Sequence, residues 1–194
     1  KNKPIIYSKN RKPLPEPTDG KTMRTVRTKV YKFSELNETA QQKAIQKNCD
    51  INVSEDWWEW TYYDAKQVGI IISSFDIDRG SYCEIGFKES AEATAHLIID
   101  NHGETCETYK TAENYLKQRD ELINTAPKDE NGDFEDESQI DSDLDDLDKD
   151  FENSISEDYR TLLKNEYEYL TSEEAIKETI IANEYEFTVD GKQF

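Results

Sequence analysis

Long apolar runs are missing from this sequence: 35% of its 194 residues are hydrophobic, against roughly 45–50% in an ordinary globular domain. No stretch supplies the ~20 apolar residues of a membrane-spanning helix, and none reads as the apolar core of a signal peptide. Cysteine is scarce as well. Cys49, Cys83 and Cys106 are an odd number without paired spacing, which argues against a disulfide framework and for reduced thiols inside a cell. Four common signatures are absent: the P-loop, the GxGxxG dinucleotide turn, the GxSxG nucleophile elbow and the HExxH zinc helix.

Basic charge is the remaining shortage, and it is unevenly placed. Lys and Arg number 24 against 43 Asp and Glu, a formal net charge of -19. Yet residues 1–32 hold ten bases against Glu16 and Asp19, a net of +8 that leaves −27 on the other 162 residues. Four of the five prolines stand at positions 4, 13, 15 and 17. This predicts an extended, polyproline-like basic arm over 1–22, suited to an acidic surface, or else an unattached leader. Met23 stands where a translation start would fall.

What is present is aromatic. A share of 11%, with 3 Trp and 11 Tyr, argues against wholesale disorder, because such side chains make burial worthwhile. The patterning predicts an α+β fold: a small, mainly antiparallel sheet of about four strands, with five to six helices mostly on one face. The strands are expected at Thr25–Phe33, Ile70–Ile77, Ser81–Phe87 and Tyr185–Val189. Asn37, Ser54 and Ser172 read as helix N-caps, Gly69 as a helix stop, and Asp78-Arg79-Gly80 as a hairpin turn. A helix after Gly103 places Tyr109, Ala112, Tyr115, Leu116, Arg119, Leu122 and Ile123 on one stripe. The expected organisation is a basic arm (1–22), an α+β core (23–126), an acidic loop and helix (127–158) and C-terminal helices with a closing strand (159–194).

The acidic segment is the most unusual. Residues 129–158 hold fifteen acids and a single base, Lys149. Leu144, Leu147, Phe151 and Ile155 recur at i, i+3, i+7 and i+11, a narrow helical seam that predicts an acidic amphipathic helix. At ~1.5 Å rise per residue this is about one charge per 3 Å, close to the ~3.4 Å phosphate spacing of a DNA strand. A plain solvated face is the commoner use of such a run. A phosphate mimic is the sharper one.

The segments "KVYKFSELNETAQQKAI", "FDIDRGSYC", "HGETCETYKTAENYL" and "EYEYLTSEEAIKETIIANEYEFTVDGKQF" resemble a family of uncharacterised proteins from phages and mobile elements of gut and related bacteria. The likeness covers roughly residues 23–194. It implies a setting, a phage- or mobile-element-borne accessory protein, and no established activity or site residues.

Candidate chemistry is thin. His96, His102 and Cys106 suggest a metal only loosely, since six residues separate the histidines and Gly103 interrupts the element. Asp76 and Asp78 share a strand face near Arg79 and Cys83, which suits a general acid/base pair, and equally suits turn formation. Residues 141–152 carry Asp141, Asp143, Asp145 and Glu152 at calcium-loop positions, but Asp146 replaces the required glycine. No catalytic residue, cofactor or metal is therefore assigned, and the chain is expected not to be an enzyme. A small metal-independent enzyme using Asp76 and Asp78 is the lesser alternative.

The tryptophan-rich segment is more suggestive. Trp57, Trp58, Thr61, Ala65 and Val68 share a face broad enough for the core, which leaves Trp60 and Tyr63 either under a neighbouring element or as a partner-binding anchor. The expected partner-binding residues are thus Trp60, Tyr63, Asp141, Asp143, Asp145, Asp146, Asp148 and Asp150. The expected partner is a basic, nucleic-acid-binding host protein that the chain binds and inhibits, as an anti-defence nucleic-acid mimic. The acidic body should bind neither nucleic acid nor membrane, and the expected location is the bacterial host cytoplasm. The alternative is a virion-associated assembly protein that self-associates through the basic arm.

Overall fold

The computed structural model describes residues 27–194, and the basic arm expected over 1–22 lies outside them. The described residues form an α+β fold of six α-helices and four strands, built on two apolar cores rather than one. The four strands make two separate two-stranded antiparallel sheets, not a single sheet.

The smaller core joins the two ends of the described chain. Strand β1 (Tyr31–Lys32) pairs with β4 (Glu186–Phe187), Tyr31 facing Phe187. Helices α1 (Glu38–Lys47) and α6 (Glu173–Ala182) cover this ribbon. Asn37 caps α1 by accepting from the Ala40 amide, and Ser172 caps α6 by accepting from Ala175, so both first turns have a side chain for an otherwise orphaned N–H. The rings of Phe33 and Phe187 meet edge-on at 6.3 Å among Ala40, Ala44, Ile176 and Ile180. Within the described residues both strands are shorter than expected, and Thr25 and Val26 of the expected first strand lie outside those residues. Residues 27–30 are unpaired, Phe33 already belongs to a 3-10 turn, and a return turn at Asp190–Gly191 ends β4. A strand can pair only as far as its partner runs, so the two shorten together.

The larger core begins with α2 (Glu59–Gln67). Ser54 is not its cap. Residues 51–58 close as successive turns, such as Trp57 N–H to Glu55 O and Glu59 N–H to Asp56 O, which delay the helix until Trp58. Gly69, at φ 79°, ends the helical segment and leads into the hairpin of β2 (Ile70–Asp76) and β3 (Tyr82–Phe87). The Asp78–Gly80 turn falls as expected, with Gly80 at φ 83°. Helix α3 (Ala91–Asn101) follows, capped by Ser90, and then α4 (Glu107–Thr125). The expected α4 stripe faces inward, Ala112 and Tyr115 fully and the rest partly buried.

Helix α5 (Glu137–Leu170) holds this core together over 34 residues, about 51 Å at 1.5 Å per residue. It runs unbroken through positions 158 and 159. The Leu144–Ile155 seam faces inward and continues through Tyr159 and Leu163, both fully buried. Helices α4 and α5 are antiparallel, with Thr111 bonded to Asp158 and Tyr115 to Asp148. The Tyr115 and Phe151 rings stack at 4.3 Å between them. Asn52 ties the two cores: its amide donates to the Leu170 carbonyl at 2.9 Å and accepts from Thr179 Oγ1 at 2.7 Å. Among the described residues, no helix is long and apolar enough to cross a membrane.

Candidate functional site: an acidic helix face and an exposed aromatic pair

The seam fixes which carboxylates of α5 reach solvent. With ~100° per residue, Asp145 and Asp146 point away from Leu144, Leu147, Phe151 and Ile155, while Asp141 and Asp150 flank that seam, Asp150 on the side facing α4, and all four are exposed. Asp143 and Asp148 sit at the margins and are half-buried. Asp143 accepts from Gln139 Nε2 at 2.8 Å, one helical turn back. Asp148 accepts from the buried Tyr115 hydroxyl at 2.6 Å, so it is a structural carboxylate as well as an acidic one. The one base in the run, Lys149, stands 3.7 Å from Asp146. Residues 141–152 are helical throughout, so the calcium-loop spacing within them forms no loop.

Trp60 and Tyr63 lie on the outer face of α2, 77% and 56% exposed, with their rings edge-to-face at 6.2 Å. The other face of α2 is the expected apolar one: Thr61, Ala65 and Val68 are buried, and Trp57 and Trp58 pack around Phe75. The aromatic pair and the acidic run are not brought together. Helix α2 meets α5 near its C-terminal half, through Tyr159–Asp64, Thr61–Glu166 and Trp57–Tyr167 contacts. From Asp145 to Tyr159–Tyr167 is about 20–30 Å along the helix axis.

The other candidates separate. Asp76 Oδ1 accepts the Asp78 amide at 2.7 Å, which makes it a turn-closing acceptor rather than a partner for the Asp78 carboxylate. Cys83 is buried on β3, its thiol pushed up to about 11 by desolvation. Its carbonyl accepts from the Ser156 hydroxyl of α5. His96 and Cys106 are exposed, whereas His102 turns inward. Among the described residues, no group of three or more His, Cys, Asp or Glu side chains could hold a metal ion.

One polar junction had no sequence signal. His102 Nδ1 pairs with Thr108 Oγ1 at 2.8 Å, and Nε2 stands 3.5 Å from Asp64 Oδ1. Asp64 Oδ2 in turn accepts from the buried Tyr159 hydroxyl at 3.0 Å. Four elements meet here: α2, the end of α3, α4 and α5. The His102 imidazole beside it holds the Asp64 carboxyl below its usual range, against the opposing effect of burial. Burial and the Asp64 charge raise the Tyr159 hydroxyl far above its own. On the same helix, burial lifts Asp158, partly offset by the Thr111 hydroxyl that donates to it at 2.7 Å. The residues involved are far apart in sequence, and each fits an ordinary helix position, so nothing in the pattern announces the network.

No protein-family model matches the chain, and neither a curated protein nor a solved structure is detectably similar to it.

Proposed function

We propose that the chain is an acidic interaction protein that occupies the nucleic-acid groove of a basic host protein and thereby inhibits it. The observation that carries this reading is the display of Asp141, Asp145, Asp146 and Asp150 on the solvent side of one rigid helix. Four charges over the ten residues 141–150 are spaced on average about 4.5 Å along the axis, of the same order as the ~3.4 Å phosphate repeat of a nucleic-acid strand. A loop or tail would need to be ordered on binding; a helix already anchored by its buried seam does not. The attraction is electrostatic and long-ranged, so association is fast and steeply dependent on salt.

The resemblance to phage and mobile-element proteins supplies the setting, in which a nucleic-acid-binding defence protein of the bacterial host is the natural target. Exposed Trp60 and Tyr63 provide a second contact of a different kind, since buried aromatic anchors carry much of the energy of protein interfaces. The test is competition. A host protein captured by the chain is loaded with fluorescent duplex DNA, and the purified chain is titrated in. Stoichiometric release of the duplex supports the proposal, and simultaneous binding of duplex and chain defeats it.

A further inference from the structure

Between α4 and α5, above the stacked rings of Tyr115 and Phe151, lies a groove of about 370 Å³. Asn114 and Gln118, one helical turn apart on α4, form one wall, and Asp150 and Asn153 on α5 form the other. None of these four side chains makes a hydrogen bond or ion pair within the described residues, although their neighbours Thr111, Tyr115 and Ser154 all do. Every base on α4 is drawn elsewhere: Lys110 to Glu107 at 2.6 Å, Lys117 to Glu113 at 3.0 Å and Arg119 to Glu92 at 3.0 Å. Among the described residues the groove therefore presents one exposed carboxylate and three exposed amides that bond to no other side chain, on the edge of a strongly acidic surface and without a cation.

That combination selects among cations. An ammonium is a compact, strongly hydrated point charge, whereas a guanidinium is planar, more weakly hydrated, and carries five N–H donors in a fixed fork. A carboxylate can take two of those donors side by side. Amide oxygens placed around it can take others.

We propose that the groove is an arginine socket: Asp150 accepts a bidentate pair from the guanidinium of a partner arginine, and the amide oxygens of Asn114, Gln118 and Asn153 accept its remaining N–H groups. The inference rests on the acidic-helix interaction proposed above and names the partner side chain it selects. It adds register to that interaction. Carboxylates on an open helix face attract any base, while a walled groove fixes where one arginine sits.

The test uses the full chain and two labelled nine-residue peptides of equal charge, one with six arginines and one with six lysines, compared by fluorescence anisotropy. The arginine peptide should bind more tightly. Asn114→Ala/Gln118→Ala removes two acceptors without altering charge, and should weaken the arginine peptide about tenfold while leaving the lysine peptide unchanged. Asn153→Ala, on the other wall, should act in the same direction, and thermal melting of each variant establishes that it is folded. The side-chain amide NMR signals of Asn114, Gln118 and Asn153 should shift with the arginine peptide only. Equal affinity for the two peptides, or equal loss of both in the double variant, overturns the socket. Asp141→Asn/Asp145→Asn/Asp146→Asn lies outside the groove and should weaken both peptides. If it weakens neither, the acidic-helix reading itself fails, whichever peptide the groove prefers.

Discussion

The Tyr115 hydroxyl donates to Asp148 at 2.6 Å, which gives the centre of the acidic run a structural duty. Tyr115 is 3% exposed, and its hydroxyl is held far above the usual phenol range by burial and by this carboxylate. Asp148→Ala leaves a buried hydroxyl without its acceptor and should cost about 1–3 kcal/mol, read as a lower midpoint in chemical denaturation. Asp145→Asn, on the exposed side, should leave the midpoint unchanged or raise it, because it relieves like-charge repulsion. A variant that neutralises the whole run thus mixes two effects, and Asp148 must stay intact when binding is the question.

Thiol labelling should divide the cysteines. Cys49 and Cys106 are exposed and Cys83 is buried, so the native protein should react at two thiols at pH 8, and the unfolded protein at all three. Burial raises Cys83 to about 11, above its unfolded value of about 8.5. Its contribution to stability is therefore complete below about pH 8.5 and is lost as pH rises towards 11. Tyr115 and Tyr159 are raised in the same direction. Thermal stability should decline above about pH 9, and a flat profile there would contradict the burial of these three groups.

Two glycines with the same backbone sign should tolerate alanine differently. Gly80 and Gly191 have φ of 83° and 78°, but a Cβ at Gly80 meets nothing, while one at Gly191 overlaps the carbonyl of Ala40 at the start of α1. Gly80→Ala should cost about 1–2 kcal/mol, the conformational penalty alone. Gly191→Ala must also push the β4 return away from α1, and its melting temperature should fall well below that of Gly80→Ala.

Trp60→Ala should be nearly silent in the fold, within about 0.5 kcal/mol, because its ring is 77% exposed and pairs with the likewise outward-facing Tyr63. If the pair anchors a partner, the same change should weaken that complex by about 2 kcal/mol or more. A large loss of stability in Trp60→Ala would place the ring in the core instead.

Local patterns were legible in the sequence wherever one residue sufficed to decide them. Asn37 and Ser172 cap their helices, Gly80 turns the hairpin, and Leu144–Ile155 face inward, each from spacing or backbone chemistry. Ser54 misled because a good capping residue competes with the turns that follow it, and here Trp57 and Trp58 are held in those turns by packing on Phe75. The division into two sheets was not legible, since strand partners are set by tertiary packing. The acidic run was visible as charge, but its sorting into exposed Asp145 and Tyr115-bonded Asp148 depends on a helix 33 residues away in sequence. The α4–α5 groove was hidden for the same reason: Asn114, Gln118 and Asn153 look like ordinary surface amides until the two helices are set side by side.

The most direct test of the acidic-helix account is the salt dependence of partner binding for the parent chain and for Asp141→Asn/Asp145→Asn/Asp146→Asn/Asp150→Asn. All four positions are exposed and outside the apolar seam, so the variant should fold as the parent does. Parent affinity should fall about a hundredfold between roughly 50 and 200 mM salt, as expected for four charge contacts. The variant should bind far more weakly at low salt and show a nearly flat dependence. A variant that binds its partner at full strength in physiological salt would contradict the account and leave the acidic run as a solvated face.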